Sequence, residues 1–320
     1  MIIKVGVLRG GPSQEHEISL KTGEAVLNNL PKKYSGKDIL LSKNGEWFFN
    51  GQFSYPEKII RSVDVVFNAL HGHIGEDGKV QQILEMFNIP YTGSRVFSSA
   101  LGMNKILSRE AFKNAGLNIP RTIIVKKDEN LLEVSHRIFR IMGPSWVVKP
   151  ASSGSSKGIF IAHSFNDLIS AIEQAAALDS KIIIEEYIQG REATCGVIAN
   201  FRKQKYYSLP VIEIIPPYGH EFFDYEAKYS GGTREICPAN FDMETKRKIE
   251  EVARLAHQVL GCRHYSRADF RISARGRIYI LEINTLPGLT AESLLPKAIN
   301  AVGASYPEFL DHLITLALKE

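Results

Sequence analysis

The chain predicts a fold that mixes α/β and α+β parts, on three observations. A segment at residues 2–8 that reads as a buried strand runs through Gly10-Gly11-Pro12-Ser13 into a helical segment at 17–30. A second apolar run at 63–70 again leads through a glycine-rich turn into a helix, the alternation that builds a parallel sheet. Around 191–215 the pattern changes to long strands.

Taken in order, the 63–70 run ends in His71-Gly-His-Ile-Gly-Glu-Asp-Gly78, after which Val80, Ile83, Leu84 and Phe87 recur at helical spacing. Sheets of this kind carry their functional loops at the strand C-terminal ends. Pro90 and Gly93 mark the end of a first domain, 1–93. Residues 94–185 read as a smaller α+β module: helical stretches near 98–115 and 129–141, a strand at Trp146-Val-Val-Lys149, a flexible loop, and a strand at 158–162. Ser164 and Asp167 form a capping box for the next helix, which leads to a buried strand at 181–187. The third domain, 186–320, holds the long strands, a loop at 216–233 and a helix with Ile249, Val252, Ala253, Ala256 and Leu260 on one face. A hairpin follows, then a last helix with a Ser305/Glu308 capping box and an apolar face of Leu310, Leu313, Ile314 and Ala317.

With 320 residues, 44% hydrophobic and 23% charged, the chain can bury a sizeable core in two or three domains. Its net charge of +4 comes without a run of five like charges, which fits an anionic small molecule and argues against nucleic acid. Cys195, Cys237 and Cys262 are far apart and in no C-x-x-C arrangement, so neither a disulfide framework nor a zinc site is indicated. No apolar stretch approaches ~18 residues and the opening apolar segment is too short for a signal peptide, so a cytoplasmic protein with no membrane contact is expected.

The hairpin carries the most chemistry. If Arg275-Gly276 is its two-residue turn, Asp269 stands opposite Glu282 and Arg267 opposite Asn284. Simple alternation puts Glu282 and Asn284 on the face of Ile278 and Ile280, with Tyr279, Leu281 and Ile283 on the other. Clustered carboxylates repel unless a cation sits among them, and hard oxygen donors suit Mg²⁺ or Mn²⁺ rather than Zn²⁺. The same residues also fit a plain surface hairpin whose acids pair with Arg267, Arg271 and Arg277. The Ser/Gly-rich segment 149–158 lets backbone N–H groups approach an anion, although it lacks the P-loop spacing and equally fits a flexible hairpin tip.

Several short motifs recur in an order that resembles the ATP-grasp carboxylate-amine ligases and, within them, the D-alanine–D-alanine ligases. They are Gly10-Gly-Pro-Ser-Gln-Glu-His-Glu-Ile-Ser19, Ala69-Leu-His-Gly-His-Ile-Gly-Glu-Asp-Gly78, Tyr91-Thr-Gly-Ser94, Met103-Asn-Lys105, the 149–158 loop, Phe223-Asp-Tyr-Glu-Ala-Lys-Tyr229, Cys237-Pro-Ala239, Arg267-Ala-Asp269 and Glu282-Ile-Asn-Thr-Leu-Pro-Gly-Leu-Thr290. The resemblance runs nearly end to end. It implies a three-domain ATP-grasp fold with an N-terminal Rossmann-like parallel sheet domain, and a homodimer.

It also implies a reaction: ATP phosphorylates the carboxylate of one D-alanine, and the amine of a second attacks the acylphosphate, supplying a cell-wall precursor. By position, Asp269, Glu282 and Asn284 would hold two Mg²⁺ (or Mn²⁺), and Arg267 with the backbone N–H of Gly288 would stabilise the reacting centre. Arg267 has the plainer alternative of a structural salt bridge to Asp269 or Glu282. Lys105, Lys149 and Lys228 would neutralise phosphates, Glu185, Glu186 and Ile188 would meet adenine, and Glu192 the ribose. Glu15 would receive the first ammonium, beside His71 at the carboxylate end, while Ser293 and Leu294 open a helix suited to a terminal carboxylate. An acid at Glu15 equally fits a helix cap. Glu15, Ser155 and Tyr229 correspond to a trio that ties the domains closed, with 216–233 as a lid. Asn104, Lys157 and Leu286 depart from the family pattern. Open alternatives are a ligase for another amino acid or a hydroxy acid, and a catalytically silent ATP-binding regulator.

Overall fold

The apolar opening segment forms strand β1 (Ile3–Gly10), parallel to β2 (Tyr34–Leu41) on one side and β5 (Val65–Asn68) on the other. The structure is a computed structural model that describes residues 2–151, 158–217, 219 and 232–320. Strands β3 (Trp47–Phe49) and β4 (Gln52–Phe53) add an antiparallel edge, so the sheet runs β4-β3-β2-β1-β5 and is parallel over β2, β1 and β5. Helices α1 (His16–Asn29), α2 (Pro56–Ile60) and α3 (Lys79–Met86) belong to the same region. The exit from β1 requires glycine: Gly10 has φ +92, and a Cβ there would collide with the Leu41 carbonyl oxygen. Ser19 Oγ accepts from the Gly10 N–H and donates to the Ala69 carbonyl, each at 2.8 Å. That one hydroxyl joins the loops after β1 and β5, which carry Glu15 and His71.

The second sheet, β6-β9-β7-β8, is antiparallel and is made of β6 (Thr122–Lys126), β7 (Trp146–Pro150), β8 (Phe160–Ala162) and β9 (Lys181–Glu186). Its core joins Trp146, Val148 and Ile184 to Val134 and Ile138 of α6 (Leu131–Ile141) and Leu168 of α7 (Phe165–Ala176). The Ser164 capping box is present, with Asp167 N–H donating to Ser164 Oγ at 3.2 Å and Ser164 N–H to Asp167 Oδ2 at 2.9 Å. The helical stretch expected at 98–115 is two helices, α4 (Val96–Met103) and α5 (Lys105–Asn114). Asn104 between them leaves helical geometry, and its Oδ1 accepts from the N–H of Ile106 and of Leu107, both at 3.1 Å. Phe112 and Leu117, at the end of this segment, lie in the core under the third sheet.

The third sheet holds β10 (Gly190–Phe201), β11 (Gln204–Ser208), β12 (Ile212–Ile215), β13 (Arg234–Ile236), β14 (Tyr265–Ser273) and β15 (Ile278–Asn284). Its order is β13-β12-β10-β14-β15, with β11 also on β10. Helix α8 (Met243–Val259) covers one face through Ile249, Ala253 and Ala256. Helices α9 (Leu294–Ala301) and α10 (Tyr306–Leu318) cover the other, and α10 starts at the expected Ser305/Glu308 box. Phe309, Leu310, Leu313 and Ile314 pack with Val5 and Phe67 of the first sheet and Tyr265 of the third, so one core spans both. Among the described residues no helix is long and apolar enough to cross a membrane.

A second joint between the first and third sheets is polar. Arg263 Nε donates to the Gly93 carbonyl and its NH2 to the Tyr91 carbonyl, both at 2.7 Å, while NH1 meets Glu320 Oε2 at 2.6 Å. The guanidinium lies over the Tyr91 ring, 4.5 Å from its centroid. Each bond from a charged donor is worth about 1.5–3 kcal/mol, and removing the donor orphans both carbonyls. Arg263→Ala is therefore expected to lower stability by about 3 kcal/mol in denaturant unfolding. An unchanged midpoint would show that the apolar core alone holds this joint.

Candidate active site

Strands β14 and β15 pair Arg267 with Asn284 and Asp269 with Glu282, the expected partners. The route to that register differs from the expectation. Ser273 N–H donates to the Arg277 carbonyl and Gly276 N–H to the Ser273 carbonyl, so the turn spans Ala274, Arg275 and Gly276 rather than two residues. Near the turn Phe270 faces Ile280, and a bulge at Leu281 then restores the pairing of Asp269 with Glu282. The bulge also reverses alternation. Ile278, Ile280 and Ile283 all enter the core under α8, so Glu282 and Asn284 do not share the face of Ile278 and Ile280. They are half-buried on the opposite face, toward a cavity.

Asp269 is held on both oxygens. Arg267 donates through Nε to Oδ1 at 3.0 Å and through NH2 to Oδ2 at 2.9 Å, a two-pronged pair. Thr194 Oγ1, directly opposite on β10, donates to Oδ1 at 2.6 Å, and Asn284 Nδ2 donates to Oδ2 at 3.1 Å. Burial lowers the Arg267 pKa, but Asp269 and Glu282 more than offset this and hold it above the ordinary value, so the guanidinium stays charged. Its pairing with Asp269 is thus present together with, not instead of, a position on the cavity wall.

Across the cavity edge, Lys105 Nζ lies 3.4 Å from Glu282 Oε2, placed there by the Asn104 break that starts α5. One turn along the helix, Arg109 NH2 lies 2.5 Å from Glu185 Oε1, and Lys149 Nζ lies 2.7 Å from Glu185 Oε2. Burial, followed by the charge of Arg109, pulls the Lys149 ammonium down to a pKa of about 8. Glu186 points elsewhere: Arg121 N and Nε each donate to it at 2.9 Å. Ile188 is half-buried between β9 and β10, and Glu192 faces Arg271 NH2 at 3.8 Å. Ser155, Lys228 and Tyr229, with Lys157 and most of the expected lid, lie outside the described residues.

One cavity of about 770 Å³ is lined by Glu15, His71, Lys105, Arg267, Glu282, Asn284, Gly288, Ser293 and Leu294, gathering expected residues from distant parts of the chain. Asp269, Lys149, Glu185, Glu186 and Glu192 are not on its wall. Glu76, not singled out in the sequence, is on the wall and sits 3.6 Å from His71 Nδ1, while His71 Nε2 pairs with Thr22 Oγ1 at 2.8 Å. Burial disfavours a charged His71, but Glu76 and then Glu15 outweigh it and raise the pKa above the ordinary value. Burial and the charge of Glu15 likewise raise Glu76, against the opposing pull of His71. Two carboxylates thus stand around one imidazole on the cavity wall. Arg267, on which the charge of Glu76 also acts, and the start of α9 share that wall, and Ser293 Oγ accepts from the Thr290 N–H at 3.1 Å. A helix start favours anions. The cavity therefore offers both carboxylates and a guanidinium to a bound molecule. The signal for Glu76 was its place in the 69–78 motif, and for Arg109 its i+4 spacing from Lys105.

Comparison with known proteins agrees with this geometry. A family model described as D-ala D-ala ligase C-terminus matches residues 111–315, and one described as D-ala D-ala ligase N-terminus matches 4–59 and 51–94. A D-alanine–D-alanine ligase of Syntrophobacter fumaroxidans is 42% identical over 99% of this chain and 98% of its own length. The crystal structure of VanG D-Ala:D-Ser ligase from Enterococcus faecalis superposes with a TM-score of 0.86 at 31% identity, covering 99% of this chain and 100% of that one. A D-alanine–D-alanine ligase from Bacillus anthracis complexed with ATP gives 0.80 at 32% identity, covering 99% and 98%. The chain belongs to the D-alanine–D-alanine ligase family, with the ATP-grasp architecture of those neighbours.

Proposed function

We propose that this chain joins two D-alanines to D-alanyl-D-alanine at the expense of ATP, for peptidoglycan precursor synthesis. The observation that carries the reading is one cavity whose wall brings the acids Glu15 and Glu76 together with His71 and Arg267. The carboxylate oxygen of the first D-alanine takes the γ-phosphoryl group as the bond to ADP breaks. The amine of the second attacks the acylphosphate carbonyl, loses its proton, and phosphate leaves. Glu15 and Glu76 would hold the first ammonium, and Arg267 with the Gly288 N–H would offset charge developing on the carbonyl oxygen. Ser293 and Leu294, opening α9, would receive the second carboxylate. Lys105 and Lys149, with Lys228, would neutralise phosphate oxygens, while Glu185, Glu186 and Ile188 would meet adenine, chiefly through backbone, and Glu192 the ribose.

The oxygens of Asp269, Glu282 and Asn284 fit a hard divalent cation: they come from facing positions of one hairpin, and each carboxylate already has a cationic neighbour, Arg267 or Lys105. Two Mg²⁺ (or Mn²⁺) held there would supply neutralisation of the transferring phosphates. Ser155 and Tyr229 belong to this proposal as the groups that close over the first D-alanine. So do a homodimer, a cytoplasmic location where ATP is available, and the division at 93/94 and 185/186. A second reading concerns the second substrate only, because one close structural neighbour is described as a D-Ala:D-Ser ligase.

The direct test is a panel of D-amino acids and D-hydroxy acids with ATP and Mg²⁺, read by mass spectrometry. D-alanyl-D-alanine should dominate; a mixed product with D-serine or D-lactate in excess would select the second reading, and no dipeptide at all would refute the ligase. Glu282→Gln should lower turnover by about a hundredfold or more with the fold intact, since it removes a carboxylate charge facing the phosphates. Retention of more than about a tenth of activity would contradict the metal assignment. The Lys149 ammonium, at about 8, is mostly charged at neutrality and is lost as pH rises through that value. ATP affinity of the enzyme without D-alanine should therefore weaken from about pH 7 to about pH 9, and Lys149→Arg should flatten the profile. An identical slope in both proteins would assign the titration to another group.

A further inference from the structure

We propose that Arg109 is the positioning residue of the phosphate end of this site, one guanidinium that holds the Glu185–Lys149 pair on one side and the strand bulge beside Glu282 on the other. The inference rests on the ligase reading above for its functional consequence, and on geometry alone for its structural one.

Arg109 is 4% exposed, Glu185 2% and Lys149 6%. Its NH2 lies 2.5 Å from Glu185 Oε1, a charge contact whose angle is not that of a hydrogen bond. The same NH2 donates to the carbonyl of Leu281 at 3.0 Å. Leu281 is the extra residue of β15, the one that a bulge leaves outside the strand ladder. Its carbonyl needs a partner from elsewhere, and Arg109 provides it. The next residue is Glu282. Without the bulge, ordinary alternation would turn Glu282 to the side of Ile280, into the core under α8. Arg109 therefore braces the irregularity that aims Glu282 at the cavity.

Its second role is electrostatic. Among the described residues Glu185 is the one acid paired with Arg109 and Lys149, and it cannot neutralise both, so this buried trio by itself carries an excess positive charge. A buried excess of one sign is costly unless an opposite charge arrives, and the phosphates of a nucleotide supply one. Because Arg109 occupies one Glu185 oxygen, Lys149 is not drawn into a closed two-membered pair and retains donors for phosphate. Helix position makes this arrangement possible. Arg109 is four residues after Lys105, so the Asn104 break that delivers Lys105 to Glu282 delivers Arg109 to the bulge behind it.

The experiment uses Arg109→Met, which keeps length and apolar packing, and Arg109→Lys, which keeps the charge but not the fork. Wild-type enzyme is first assayed for D-alanyl-D-alanine formation, which tests the ligase reading by itself, and is titrated calorimetrically with the non-hydrolysable ATP analogue AMP-PNP and Mg²⁺. Arg109 is tested by ratios to wild type. For Arg109→Met, KM for ATP and Kd for the analogue should each rise about tenfold or more, with KM for D-alanine within about twofold, because Glu15, His71 and Ser293 are untouched. Arg109→Lys should fall between the two proteins. Amide hydrogen exchange of free Arg109→Met should quicken at residues 280–283 while the rest of β14 and β15 keeps wild-type protection. Equal rises in both KM values, or unchanged exchange at 280–283, would overturn the proposal and leave Arg109 a general core contact.

Discussion

The carboxylate of Asp269 is the fixed point from which the site is built. Arg267, Thr194 and Asn284 hold it from three strands, and the pairing of β14 with β15 places Glu282 directly opposite. Two further side chains are located relative to this pair: Lys105 through its contact with Glu282, and Arg109 through the carbonyl of the residue before it. The hairpin could not do this as a regular ladder. A three-residue turn and one extra residue at Leu281 cancel in register but not in facing, so the acid turns toward the cavity while Ile283 turns inward.

One cavity draws its wall from two sheets. Glu15 and Glu76 stand beside one histidine on the part built from the parallel sheet, and Arg267 with the start of α9 on the part built from the third sheet. Those two sheets are joined by the apolar core of α10 and by the Arg263 latch. Displacing one against the other would separate Glu15, Glu76 and His71 from Arg267. Stability of the joint and integrity of the cavity are in this sense one requirement. Behind the cavity, Arg109 and Lys149 share the carboxylate of Glu185.

Much of this was legible in the chain because it follows from local chemistry. Capping boxes at Ser164 and Ser305 and the helical faces of Ile249 and of Leu310 are set by residues a few positions apart, whereas the opposition of Asp269 to Glu282 was reached because a longer turn and a bulge cancel. Features decided by long-range packing were not. Leu281 looks like any alternating strand residue, and only the three-dimensional fit of Ile283 into the core under α8 makes it the bulge. Asn104 sits inside a run with helical spacing, yet its amide caps better than it propagates. The segment Tyr34-Ser-Gly-Lys-Asp38 shows no clean alternation, so β2 and the hairpin beyond it were missed; Arg9, which bonds Asp38 at 2.7 and 2.9 Å, supplies part of what pattern does not. Glu76 was visible only as one letter of a motif, because its effect on His71 depends on shared burial.

The bulged hairpin aims Asp269, Glu282 and Asn284 at one place, the place proposed above for divalent cations and nucleotide phosphates. Crystals of the enzyme grown with AMP-PNP and Mn²⁺, with diffraction recorded at the manganese absorption edge, test it most directly. The account predicts anomalous peaks within coordinating reach of the oxygens of Asp269, Glu282 and Asn284. Manganese bound elsewhere in the cavity, with Glu282 turned away from it toward the core, would contradict it.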